Sequence, residues 1–104
     1  MKLLVVLSIK EYEQQVEKLL DKAGLNRFSV TNITGYKKDK KKKDFSWFGN
    51  CMGCAKTNSI LIFSFSPEEV VNQAIVEINN YNEQEKDPFP LHAFVMDVES
   101  FSRV

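Results

Sequence analysis

The chain has 104 residues and 12.0 kDa, with 14 basic and 14 acidic side chains, so its formal net charge is zero. That length suits one domain spanning 1–104, and a composition 43% hydrophobic and 27% charged excludes a disordered chain. A neutral balance also removes the excess of Lys and Arg that general nucleic-acid binding needs, so no nucleic-acid partner is expected.

The neutrality is the sum of two unequal parts. Between Tyr36 and Thr57, Lys37, Lys38, Lys40, Lys41, Lys42, Lys43 and Lys56 stand against Asp39 and Asp44, a net +5, which leaves −5 on the rest. A basic loop on an acidic body is the feature to explain.

Lys2–Ile9 is a near-continuous aliphatic run, as expected of a central strand. It is too short to span a bilayer, and Ser8, Lys10, Glu11 and Glu13 interrupt it without a small-x-small cleavage site. A cytoplasmic protein is expected. Residues 11–23 switch to helical period, with Tyr12, Val16, Leu19, Leu20 and Ala23 on one face and Gly24 as the stop. Residues 27–35, with Phe28, Val30, Thr31 and Ile33, predict a second strand. Residues 59–65 predict a third, with Leu61, Phe63 and Phe65 on one face and Ile60 and Ile62 on the other.

Ser66 as N-cap, Pro67 at the first helical position and Glu69 as the capping-box partner predict a second helix. Val71, Ala74, Ile75 and Ile78 form its apolar stripe, and the polar run from Asn79 to Asp87, then Pro88 and Pro90, is expected to end it. Residues 91–98 predict a last strand. The order is βαββαβ, an α+β ferredoxin-like arrangement: an antiparallel four-stranded sheet with two helices on one face. Both faces of the strands are apolar and two helices cover only one, so self-association is expected.

In this frame the chain resembles the PII-type (nitrogen regulatory protein) signal-transduction proteins. Ala23-Gly24-Leu25 through Val30-Thr31-Asn32-Ile33-Thr34-Gly35-Tyr36 resembles the family's helix end, second strand and entry to its long T-loop, and Phe94-Val95-Met96-Asp97-Val98-Glu99 its last strand. Residues 36–57 then stand at the T-loop position, where so long a connection is usually functional. The resemblance implies a homotrimer and a regulatory protein whose loop docks on a partner, a membrane transporter in the transporter-paired branch, with any ligand held in an intersubunit cleft near Gly35, Tyr36 and Asn58.

The chain departs from the family's pattern. Lys37-Lys38-Asp39 replaces Gly-Arg-Gln, Asn58 replaces a basic residue, the basic C-terminal segment is reduced to Arg103, and no tyrosine lies inside the loop for uridylylation. The family's glycine-rich phosphate loop before the last strand is replaced by residues 79–90, which contain no glycine, the carboxylates Glu83, Glu85 and Asp87, and the single Lys86. Backbone amides approach phosphate poorly without glycine, and carboxylates repel it, so the family's ATP and 2-oxoglutarate sensing is not expected.

Asp44-Phe45-Ser46-Trp47-Phe48-Gly49-Asn50-Cys51-Met52-Gly53-Cys54 is the most distinctive stretch. Phe45, Trp47 and Phe48 beside Lys37 to Lys43 have the composition of a docking segment, since aromatic anchors carry most interface energy. The lysines suit an acidic partner face or anionic lipid, and a solvated tip is the plainer reading. Cys51 and Cys54 offer two thiolates to a soft metal, Cu or Zn, with zinc needing two further ligands. Lys43 and Lys56 would favour the thiolate form.

A reversible disulfide, a thiol redox role and an idle pair are the other readings of one Cys-x-x-Cys. His92, the single histidine, reads as structural rather than as a ligand. Metallochaperone domains of this fold carry their Cys-x-x-Cys after the first strand, where this chain has Ser8-Ile9-Lys10-Glu11; CutA-type trimers fit the second strand less well. No Ser/His/Asp set or phosphate-binding glycine loop is present, so no enzyme activity is expected.

Overall fold

The structure is a computed structural model, and it describes residues 1–36, 56–85 and 89–102. The elements are β1 (Lys2–Ile9), a 3-10 turn (Lys10–Tyr12), α1 (Glu13–Lys22), β2 (Ser29–Tyr36), β3 (Lys56–Ser66), α2 (Glu68–Glu85) and β4 (His92–Asp97). The strands lie in the order β2-β3-β1-β4 and every neighbouring pair is antiparallel. This is the ferredoxin-like α+β fold that the element order predicts.

Strand alternation decides what is buried. Leu4 and Val6 of β1 share the helix-side face with Ile60 and Ile62 of β3, in register Val6↔Ile62 and Ser8↔Ile60. Val16 and Leu20 of α1 and Val71, Ala74 and Ile78 of α2 close over them, each 2% exposed or less. Burial of side chains such as Leu20 or Ile78 is worth about 1.5–3 kcal/mol each. Gly24 ends α1 with φ +91°, the left-handed conformation of a C′ residue, and Leu25 N–H bonds back to Leu20 O at 3.0 Å. Lys22 of α1 reaches Glu77 of α2 at 3.5 Å across the helix layer.

The other face of the sheet has no helix. Cross-strand rows place Met96, Leu3 and Phe65 together, then Phe94, Val5 and Phe63, then His92, Leu7 and Leu61. The Phe63 and Phe65 rings meet edge to face with centroids 6.5 Å apart. Phe65 is 55% exposed and Met96 48%. The apolar face expected from the strand sequences is therefore present and open at its Phe65–Met96 end, while Leu7 toward the other end is buried.

The ends of β2, β3 and β4 shift by one to three residues from the sequence reading, and three differences involve the helices. A single 3-10 turn precedes α1, so the α-helix proper begins at Glu13 rather than residue 11. Val71 N–H bonds to Pro67 O at 3.1 Å as the first helical bond of α2, which puts Pro67 at the boundary and leaves Ser66 in β3, its hydroxyl 2.8 Å from that of Ser64. The third difference is larger. Helix α2 runs to Glu85 instead of stopping near Asn79. Tyr81 lies one turn beyond Ile78 and packs against the core, and Asn82 is tied to Leu91. Tertiary contact on one helix face overrides the weak helix propensity of the Asn-rich run.

Candidate functional site

The β2–β3 hairpin stem is closed by the pairs Thr34↔Asn58, Gly35↔Thr57 and Tyr36↔Lys56, so the long connection comprises residues 37–55. The pair Ile9↔Ser59 puts the end of β1, and hence the turn at Lys10–Tyr12, at this same end of the sheet. His92↔Leu7 brings the start of β4 there as well. The root of the long loop, the β1–α1 turn and the α2–β4 connection are thus gathered at one end. Of the predicted cleft residues, Gly35 and Tyr36 end β2, and Asn58 is exposed near the start of β3.

The predicted docking residues Lys37, Lys38, Lys40, Lys41, Lys42, Lys43, Phe45, Trp47 and Phe48, and the predicted metal ligands Cys51 and Cys54, lie outside the described residues. Among the described residues, no group of three or more His, Cys, Asp or Glu is arranged to hold a metal ion. Among them, too, no helix is long and apolar enough to cross a membrane.

The α2–β4 connection corrects the reading of residues 79–90 as one glycine-free loop. Residues 79–85 are helix, and the connection is confined to 86–91. Glu83 and Glu85 are exposed on the last turns of α2. What positions this connection is a residue that sequence reasoning missed. The Asn82 carboxamide donates through Nδ2 to Leu91 O and accepts from Leu91 N–H at Oδ1, both at 2.9 Å. That two-point contact completes the backbone hydrogen bonding of Leu91 as a neighbouring strand would. The signal in the sequence was slight: one Asn, four residues after the last aliphatic of a helical stripe.

Beside this contact lies a pocket of about 250 Å³ between α2 and β4. Ile75, Ile78 and Asn79 line it from the helix, and Leu91, Ala93 and Phe94 from the strand. His92 also borders the pocket, half-buried at the first position of β4. At the opposite end of the sheet Lys2 is hydrogen-bonded to Asp97. That bond holds the Asp97 carboxyl below its ordinary pKa and raises the Lys2 ammonium above its own, the mutual attraction of the two charges adding to both shifts.

A ferredoxin-like sheet of this strand order, with a long β2–β3 connection at the end where β4 begins, is the architecture of PII-like proteins, and solved structures of that kind superpose on this chain. The nitrogen regulatory PII-like protein CPII of Thiomonas intermedia K12, solved with ADP, AMP and bicarbonate, matches with a TM-score of 0.66 over 99% of this chain and 94% of its own, at 18% identity. Its apo form gives 0.61 over 93% and 87%, at 21% identity. A PII-like signalling protein of Thermus thermophilus gives 0.60 over 93% and 85%, at 16% identity. No family model matches the chain, and no curated protein matches it in sequence. The fold is that of a divergent PII-like protein, as the sequence resemblance implies.

Proposed function

We propose that this chain is a cytoplasmic, homotrimeric PII-like regulatory protein that docks its 37–55 loop on a protein partner, a membrane transporter. The observation that carries this reading is the hairpin stem: the pairing runs in register to Tyr36↔Lys56 and launches the lysine- and aromatic-rich segment from the end of the sheet where the α2–β4 connection also lies. A small rigid scaffold that presents one long segment of this composition suits recognition better than catalysis. The uncovered face around Phe65 and Met96 supplies the surface for self-association.

The CPII structures contain adenine nucleotides, and with residues 79–85 in helix the sequence argument against a nucleotide narrows to connection 86–91. An adenine nucleotide in the cleft near Gly35, Tyr36 and Asn58 is therefore the ligand to test, by calorimetry with ADP. The decisive experiment for docking compares the intact protein with one whose residues 37–55 are replaced by a short Gly-Ser turn. Capture of a transporter from solubilised membranes is expected with the first and lost with the second, both remaining trimeric; equal capture by the two overturns the docking reading.

A second reading rests on the spacing of Cys51 and Cys54: a soft-metal sensor or buffer, or a small thiol redox protein. Titration with Cu(I) or Zn(II) of the wild type and of Cys51→Ser/Cys54→Ser separates these readings. Tight, cysteine-dependent binding supports the metal role, and its absence removes it.

A further inference from the structure

We propose that the last two turns of α2, residues 79–85, form a conformational latch. Closed, they are helix and hold the α2–β4 connection through Asn82. Open, they join that connection as loop, while the rest of α2 and the sheet stay folded.

Three observations place the hinge just after Ile78. Burial stops there: Val71, Ala74 and Ile78 are each 2% exposed or less, and none of residues 79–85 is buried. Lateral bracing stops there as well. Gln73 bonds to Glu77 at 3.2 Å and Lys22 of α1 reaches Glu77 at 3.5 Å, and among the described residues no ion pair braces α2 beyond it. The helix formers also weaken. Asn79, Asn80, Tyr81 and Asn82 all have poor helix propensity, and Glu83 and Glu85 follow at the negative pole, with no basic residue in the last turn.

Two contacts oppose these losses. Tyr81 packs against the core, and the Asn82 carboxamide meets Leu91 O and Leu91 N–H, both at 2.9 Å. Local preference and tertiary contact thus pull against each other over seven consecutive residues of one helix. Such a conflict between levels marks a two-state element rather than a uniformly stable helix. Opening trades the carboxamide contact at Leu91 for water, which keeps its net cost modest.

The latch acts on what lies beside it. Asn79 and Asn82 line the pocket between α2 and β4 from the segment that moves, and Ile75 and Ile78 from the part that stays. Opening therefore unroofs the apolar part of the pocket. It also lengthens the chain before β4 at the end of the sheet where Tyr36↔Lys56 closes the root of the long loop. This end of the molecule has two forms while the sheet has one. The proposal depends neither on a nucleotide nor on a docking partner.

Amide hydrogen exchange on the full chain, corrected for intrinsic rates, tests this. The amides of residues 79–85 are expected to open together, at least about tenfold more readily than those of Val71, Ala74 and Ile78. The Leu91 amide is expected to open with them, nine residues from its partner Asn82. Asn80→Ala, at an exposed position, improves helix propensity and is expected to slow the whole set, Leu91 included, about two- to threefold. Asn82→Ala removes the contact and is expected to speed exchange at 79–85 at least about fivefold, with Val71, Ala74 and Ile78 unchanged. If Asn82→Ala fails to fold, the wild type and Asn80→Ala decide. Rates that climb smoothly toward Glu85 while Leu91 opens with the core mean ordinary fraying and overturn the latch. One common rate from Val71 to Glu85, or an Asn80→Ala effect shared equally by Val71, Ala74 and Ile78, means a single rigid helix and overturns it too. So does a folded Asn82→Ala chain with unaltered exchange at 79–85.

Discussion

Lys2 and Asp97 join the beginning of β1 to the end of β4, and their pairing gives the protein a pH dependence with two arms. Asp97 titrates lower in the folded chain than its ordinary 3.8, so its contribution is present above that value and is lost as pH falls through the lowered folded pKa. Lys2 titrates above its ordinary 10.5, so its contribution is complete below that value and is lost as pH rises through the raised folded pKa. Both groups are at the surface, where salt screens them, so the effect is small. Asp97→Asn is expected to flatten both arms of melting temperature against pH and to reduce their dependence on salt. Unchanged arms would mean that the pair contributes nothing in solution.

The Asn82 contact is a heavier matter, because removing it leaves the N–H and C=O of Leu91, itself 3% exposed, without their partners. Asn82→Ala is expected to lower unfolding free energy by about 1–3 kcal/mol in denaturant titration, with Asn82→Asp intermediate because it keeps the acceptor. At Gly24 an added Cβ meets no atom within 4 Å, so any cost is in the backbone alone. Gly24→Ala is expected to cost about 1–2 kcal/mol, from φ +91°.

The elements differ in how well local sequence specifies them. Strand β3 was legible face by face: Ile60 and Ile62 are fully buried, while Phe65 on the other side is 55% exposed. Helix α1 was legible from its stripe and its Gly24 stop. The end of α2 was not, because Asn79, Asn80 and Asn82 are poor helix formers, and what holds them in helix is Tyr81 against the core and Asn82 against Leu91. No window of local sequence displays a contact nine residues away across a connection. The same blindness made the candidate cleft look more acidic and longer than it is. A consequence is that α2 ends with Glu83 and Glu85 near its negative pole and no basic residue in its last turn. Glu85→Lys is expected to raise stability by about 0.3–1 kcal/mol at low salt, and less at high salt. A loss of stability would show that Glu85 makes a favourable contact that outweighs the helix dipole.

For the whole molecule, the apolar far face and the zero net charge belong to one problem. Residues 36–57 carry +5 and the remainder −5, yet the sheet face opposite the helices is lined by Leu3, Val5, Phe63 and Met96 and carries little charge of either sign. Charge is thus kept off the face proposed for self-association, while the loop proposed to dock on a partner holds most of the basic excess. Phe65 is the sharpest probe of this division, because it is more than half exposed in the single chain and sits in a row with Leu3 and Met96. Phe65→Lys should change the stability of a single chain by no more than about 0.5 kcal/mol, the range for exposed positions. In an assembly that buries the far face, the same change forfeits about 1.5–3 kcal/mol of apolar transfer per contact and adds the cost of a desolvated ammonium. Since about 1.4 kcal/mol is tenfold in affinity, the concentration at which the assembly dissociates should rise at least about tenfold, read by light scattering over a dilution series. An assembly of unchanged strength with Lys at position 65 would show that copies meet elsewhere, and that the far face serves another occupant.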